Sequence, residues 1–163
     1  MRILVLGGSG GVGRTIADHF KADSASRSTG HGMPGNLDAI EELSYNYDVI
    51  INTIPDERFQ TMILDRLYKS HNDKQLTTYF ITFGSMAWHI HPEERDLVDW
   101  IEKNAVAPAT VKHTLLNTTW CWNSKDNATL ARVQPDEILD AIEFLLKYKD
   151  HEAVLSLIEI KGN

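Results

Sequence analysis

The sequence predicts a three-layer α/β protein, a doubly wound parallel sheet of six to seven strands with helices on both faces. Three observations predict it. Short apolar runs alternate with amphipathic helical stretches along the chain. The first apolar run leads directly into a glycine-rich loop. No internal repeat, low-complexity tract or long linker divides the 163 residues, so 1–163 is expected to be one domain. Successive parallel strands need a helical crossover, and strand–helix alternation repeated six times therefore implies this architecture.

The elements follow in order. Ile3–Leu6 is fully apolar, as expected of a strand covered on both faces. Residues 14–21 carry Ile16, Ala17 and Phe20 at helical spacing. Ser24–Arg27 reads as a weak second strand, followed by a glycine-rich connection through Gly30, Gly32 and Gly35, after which Asn36 caps a short helix bearing Leu37, Ile40 and Leu43. Asp48–Thr53 is a third strand. Pro55 stands at the start of the next helix with Asp56 and Glu57 in its first turn, Lys69 in its last, and Phe59, Met62, Ile63 and Leu67 as its buried face. Thr77–Phe83 is β-branched and aromatic, hence a strand. Pro92-Glu93-Glu94 opens a helix with Leu97, Val98 and Ile101 on one side, and Val111–Leu116 is the next strand. Gln134-Pro135-Asp136-Glu137 starts a last helix whose Ile138, Ala141, Ile142 and Leu145 keep the i, i+3, i+4, i+7 pattern. Val154–Ile160 is the final strand.

A hydrophobic share of 42% and a charged share of 24% are those of a water-soluble globule. No apolar run reaches the ~20 residues of a membrane span, and MRILVLGGSG reads as a first strand rather than a signal peptide. Cys121 is the sole cysteine, which suits a reducing cytoplasm. The net charge of −7 argues against nucleic-acid or anionic-membrane partners. His89-x-His91 offers two imidazoles with no third ligand nearby, so no metal is expected.

Chemistry is expected beyond the carboxyl ends of the strands. There, Gly7-Gly8-Ser9-Gly10-Gly11-Val12-Gly13 joins the first strand to the first helix. Glycines permit a tight turn and close backbone approach, while the helix start presents free N–H groups and partial positive charge to a pyrophosphate. The strand–loop–helix context makes Gly7, Ser9, Gly10, Gly11, Val12 and Gly13 candidate dinucleotide-binding residues on a Rossmann-like fold.

The chain here resembles the short-chain dehydrogenase/reductase family. Its glycines fit both spacings used there, Gly7-x-x-x-Gly11-x-Gly13 and Gly7-x-x-Gly10-x-x-Gly13. Ser26-Arg27-Ser28 stands where NADP-using members often carry arginine, and Asp48 to Thr53 resembles the D-x-x-x-N-A-G strand end beside the adenosine. Phe83-Gly84-Ser85 resembles the strand that delivers the catalytic serine, and Leu116-Asn117-Thr118-Thr119-Trp120 the N-P-G turn beside the nicotinamide. The resemblance implies cofactor contacts from Asn52, Thr53 and Thr118. NADP is favoured over NAD because the second strand ends without a carboxylate, while Arg27 and the Ser26, Ser28 and Thr29 hydroxyls suit a 2′-phosphate; Asp23 lies early in the strand.

The sequence departs from the family at one point. No Tyr-x-x-x-Lys follows Ser85, and no tyrosine lies between Ser85 and Asn117. The nearest substitute is His91-x-x-x-Arg95, a proton-exchanging imidazole one helical turn from a cation, although both residues suit an exposed helix start equally well. Ser85, His91 and Arg95 are the candidate catalytic residues of an NADP-dependent oxidoreductase acting on a small carbonyl or alcohol; the alternative is a non-catalytic dinucleotide-binding sensor or regulatory module. Ser85 also reads simply as a strand end. Trp88, Trp100, Trp120 and Trp122 suit core or interface positions, with Trp120 near the nicotinamide by resemblance, and Cys121 suits an inert buried thiol. The resemblance implies a homodimer through the helices at 55–70 and 92–104, which correspond to those that build dimers in the family, and Trp100 and the Met62–Leu67 face offer apolar area there.

Overall fold

The structure, a computed structural model, describes residues 1–32, 35–85, 95–104, 111–118, 132–150 and 157–161. Its elements are β1 (Ile3–Leu6), α1 (Gly11–Phe20), β2 (Asp23–Ala25), α2 (Leu37–Ser44), β3 (Val49–Asn52), α3 (Glu57–Asp73), β4 (Tyr79–Ser85), α4 (Asp96–Asn104), β5 (Lys112–Thr118), α5 (Pro135–Tyr148) and β6 (Leu157–Ile160). The six strands form one parallel sheet in the order β2-β1-β3-β4-β5-β6.

Alternation along each strand divides the core in two. Leu4, Leu6, Ile50, Phe80 and Leu115 point to one face, where Ile40 of α2, Leu64 of α3 and Leu97 of α4 cover them. Val5, Ile51, Ile81 and Leu116 point to the other, beneath Ile16 of α1 and Ile138 and Ile142 of α5. Helices on both faces complete the three layers expected of near-continuous apolar parallel strands.

Boundaries differ from the sequence expectation where side chains compete. The second strand is Asp23–Ala25, not Ser24–Arg27, because Ser26 opens a tight 3-10 turn over Arg27–Thr29 in which Ser26 N–H donates to Thr29 Oγ1 at 2.8 Å. Asp56, expected in the first turn of α3, instead caps it by accepting from Phe59 N–H at 3.1 Å, and the helix runs past Lys69 to Asp73. Its buried stripe is Gln60, Ile63, Leu64, Leu67 and His71. Met62 is 37% exposed, so the apolar face sits one position round from that expected. β4 and β5 reach Ser85 and Thr118, two residues beyond the expected ends.

A histidine holds three elements together on the α2/α3 side. His71 of α3 is completely buried, with Nε2 2.8 Å from Ser44 Oγ on α2 and Nδ1 2.8 Å from Thr78 Oγ1 before β4. Burial pushes its pKa down to about 4, so the ring is neutral at pH 7.

Candidate functional site

The chain leaves β1 towards α1 on one face of the sheet and leaves β3 towards α3 on the other. The crevice of this sheet therefore opens between the carboxyl ends of β1 and β3, where strand order reverses and such folds bind ligands. Leu6 and Asn52 sit side by side there.

Thr53 ties the glycine loop to this edge. Its N–H and its Oγ1 both donate to the Leu6 carbonyl, at 2.9 and 2.8 Å. Gly7 turns the chain with φ +85°, a left-handed conformation that a side chain resists, and its N–H donates to Ala25 O at 2.9 Å. Gly13 packs directly beneath: a Cβ there would stand 2.6 Å from the Gly7 carbonyl oxygen and closer still to the Thr53 hydroxyl. Gly8 is similarly confined: a Cβ there would stand 2.6 Å from Ser24 Oγ. Gly10 differs from both. A Cβ on it would meet nothing within 4 Å, and Ser9, Gly10 and Gly11 are exposed. Gly10 is also the N-cap of α1, with no side-chain cap and no acidic residue in the first turn. The loop thus presents helix N–H groups to open space, with Val12 half-buried below them.

Beside the loop, Arg27 is exposed, with its stem over Gly32, where a Cβ would come 3.1 Å from Arg27 Cγ. Among the described residues no carboxylate pairs with it. Ser28 Oγ lies 3.0 Å from Ser26 Oγ, and Thr29 Oγ1 donates to Ser26 O at 3.0 Å. Asp23 is at the opposite end of β2, beside Leu4, and accepts from Tyr47 Oη at 2.8 Å. The strand end facing the loop carries no carboxylate.

Asn52 is buried and works inward. Its Nδ2 donates to Gln60 O at 3.2 Å, while Gln60 Nε2 donates to the carbonyls of Asn52 and Phe83, clamping the ends of β3 and β4 together. Gln60 went unnoticed in the sequence because a glutamine within a helical stripe reads as surface.

β4 and β5 continue three residues past the level of Asn52, since Asn52 is beside Thr82 while Ser85 is beside Thr118. At ~3.3 Å per residue that is a step of about 10 Å. Ser85 is exposed at its tip and Thr118 is 6% exposed. One residue back on β5, Asn117 is 1% exposed, with neither Oδ1 nor Nδ2 hydrogen-bonded among the described residues, over Gly84, where any Cβ would strike the carboxamide. Such an orphaned amide costs ~1–3 kcal/mol per group. It was hidden in the sequence inside an apolar strand.

Of the remaining candidates, Arg95 precedes α4 and directs its guanidinium at that helix's own carboxylates, Asp99 at 3.0 Å and Glu102 at 3.4 Å. His91 lies outside the described residues, as do His89, Trp88, Trp120, Cys121 and Trp122. His113 is 3.0 Å from Thr82 Oγ1 and edge-on to Trp100, and burial pushes it down to about 3. Among the described residues no cluster of His, Cys, Asp and Glu could hold a metal, and no helix is long and apolar enough to cross a membrane. A depression of about 370 Å³ lined by Arg2, Tyr45, Tyr47 and Asp48 opens at the amino edge, the wrong end of a parallel sheet for a ligand crevice.

Fold and crevice together define a doubly wound α/β domain with a glycine loop at its switch point. The fold is that of the short-chain dehydrogenases and reductases. A short-chain dehydrogenase from Burkholderia cenocepacia J2315, solved in complex with NADP, superposes with a TM-score of 0.76 at 10% identity, over 99% of this chain and 90% of that one. For 4-hydroxyisoleucine dehydrogenase complexed with NADH the TM-score is 0.70 at 13% identity, over 100% and 98%. A β-ketoacyl-[ACP] reductase from Bacteroides thetaiotaomicron gives 0.66 at 16%, over 100% and 97%. No family model and no curated protein matches the chain.

Proposed function

We propose that the protein binds a nicotinamide dinucleotide on the loop Gly7–Gly13, preferring NADP(H) to NAD(H), and acts as an oxidoreductase on a small carbonyl or alcohol. The carrying observation is the loop itself: Gly13 is packed under Thr53 while Gly10 opens onto free space at an uncapped, acid-free helix start. Open space over an uncapped helix start is the setting that a pyrophosphate requires. The neighbours solved with NADP and NADH support the same cofactor class.

In this reading the N–H groups after Gly10 hold the pyrophosphate, and Arg27 with Ser28 takes the 2′-phosphate. Thr53 and the Asn52 backbone line the adenosine side, and Thr118 borders the nicotinamide end. The bound dinucleotide supplies or accepts the hydride. Ser85, about 10 Å past the level of Asn52 on the raised strands, donates a hydrogen bond to the substrate oxygen, and His91 exchanges the proton. Arg95 serves by holding its helix start through Asp99 and Glu102.

Calorimetric titration with NADPH and NADH tests the binding. Arg27→Ala should cost about 1–3 kcal/mol of NADP affinity and leave NAD nearly unchanged. Equal wild-type affinity for both cofactors would sink the preference. Small aldehydes and ketones are then screened for NADPH oxidation. Turnover should fall roughly 10²–10⁴-fold in His91→Gln and in Ser85→Ala, with a pH profile turning near ~6–7 and cofactor affinity within a few-fold. A specific observation favours a second reading. The chain lacks Tyr-x-x-x-Lys after Ser85, and Arg95's charge is met by two carboxylates, as a sensor or regulatory module that has lost the relay would show. NADPH binding without turnover of any carbonyl distinguishes it.

A further inference from the structure

Among the described residues, two side chains hold buried polar atoms without a hydrogen-bond partner: Ser24 through its hydroxyl, and Asn117 through both ends of its carboxamide. The same face of the sheet does satisfy such a group elsewhere. Asn52, equally buried, donates from Nδ2 to Gln60 O at 3.2 Å and accepts at Oδ1 from Ile54 N–H at 3.4 Å. Asn117 has no counterpart to Gln60. Instead the neighbouring strand makes room for it: a Cβ on Gly84 would overlap Oδ1 and stand 3.3 Å from Asn117 Cγ. The two residues before it on β5 are Leu115 and Leu116, and a third leucine would have left no polar atom unmet. Alternation along β5 turns Asn117 to the face of Leu115, the side covered by α2, α3 and α4. Asn52 is level with Thr82 and Leu115, so Asn117 stands two residues, about 7 Å, further towards the carboxyl end. Sideways, β5 is four strands from β2, about 19 Å from the margin that carries Arg27.

Resting on the dinucleotide reading above, we infer that the Asn117 side chain pairs with the carboxamide of the nicotinamide ring, Nδ2 donating to its oxygen and Oδ1 accepting from its amino group. A primary amide carries one donor and one acceptor side by side, which is what the orphaned group lacks. Phosphate only accepts, and would leave Oδ1 unmet. The adenine edge also sets a donor beside an acceptor and pairs well with asparagine. With the 2′-phosphate on Arg27, however, adenine lies at the β2 margin, four strands away. The nicotinamide is the half of an extended dinucleotide that reaches β5. Asn117 is 1% exposed, so the paired amides are shielded from water, where a hydrogen bond is electrostatically strongest. Two parallel bonds between planar groups also fix the rotation of the ring, and with it the face of C4 turned to a substrate. No proton moves in this contact, so it serves an oxidoreductase and a sensor alike.

Calorimetry on the full chain compares three ligands: NADPH, its 3-acetylpyridine analogue, in which a methyl replaces the amino group of the carboxamide, and 2′-phospho-ADP-ribose, which lacks the nicotinamide. The wild type should bind NADPH about tenfold more tightly than the acetyl analogue, the effect of one lost bond and an Oδ1 left unmet. Asn117→Leu should bind NADPH and the analogue alike, with its affinity for 2′-phospho-ADP-ribose within about twofold of wild type. Its melting temperature should equal or exceed that of the wild type, because a leucine of similar shape removes the orphaned amide. An amide kept for the fold would lower it. Equal wild-type affinity for NADPH and the analogue overturns the inference without recourse to any variant. So does an Asn117→Leu protein that keeps the preference. In both cases binding of 2′-phospho-ADP-ribose would leave the dinucleotide site standing. If neither 2′-phospho-ADP-ribose nor NADPH binds, the dinucleotide reading fails and takes this inference with it.

Discussion

Gly10 and Gly13 are three residues apart in one motif, yet substitution at each should fail for a different reason. Alanine at Gly13 would drive its methyl into the Gly7 carbonyl and the Thr53 hydroxyl, separating α1 from the strand ends. Overpacking of this kind costs typically ~1–3 kcal/mol, so Gly13→Ala should lower the melting temperature as well as dinucleotide affinity. Gly10 has extended backbone, φ −158°, and open surroundings. Gly10→Ala should change stability by no more than about 0.5 kcal/mol while weakening dinucleotide binding, because the methyl enters the space left for phosphate. Thermal unfolding and calorimetry on the pair separate the two effects, and equal melting temperatures would refute the packing role of Gly13. The spacing alone made both glycines look like ligand contacts. Which one packs and which one opens depends on Thr53, 40 residues away, a relation no local pattern carries. Arg27 was legible for the opposite reason: its setting at a strand end is local, as is the 3-10 turn that presents it.

At the scale of elements, the helix–strand alternation was readable because burial on both faces demands continuous apolar strands. The rotation of α3 was not. Its stripe contains Gln60 and His71, polar residues that hydrophobic periodicity counts as surface, and both earn their burial by reaching other elements. His71 makes that packing sensitive to acid. Its folded value of about 4 lies below the 6.5 of a free histidine, so between those limits the unfolded chain binds the extra proton. Stability is complete above about pH 6.5 and declines as pH falls towards 4, by at most about 3 kcal/mol from this residue. His113, pushed down to about 3, acts in the same direction. Urea unfolding at pH 7 and pH 4.5 should show the loss, and His71→Gln, though less stable throughout, should show a smaller pH dependence. An unchanged slope in that variant would mean that His71 is not the acid-sensitive staple of α2, α3 and β4.

For the whole molecule, the sheet is unequal from side to side. β2 pairs through three residues at one margin, whereas β1, β3, β4 and β5 are flanked by strands on both sides. Short edges with partly exposed side chains open more readily than central strands, so protection should not be uniform. Amides of Val5, Ile51 and Ile81 should exchange with deuterium only through global unfolding, while Ser24 and Ala25 should exchange orders of magnitude sooner. The margin that opens first is also the one carrying Arg27 and Ser28. Gripping that turn costs a ligand the entropy of ordering it, a cost absent for a ligand that does not reach it. NADPH should therefore slow exchange at residues 23–29 far more than NADH does, leaving the central strands alike with either. Selectivity between two nearly identical dinucleotides would then be written in the exchange kinetics of one edge strand and its turn, as a difference in local order that static contact distances do not express.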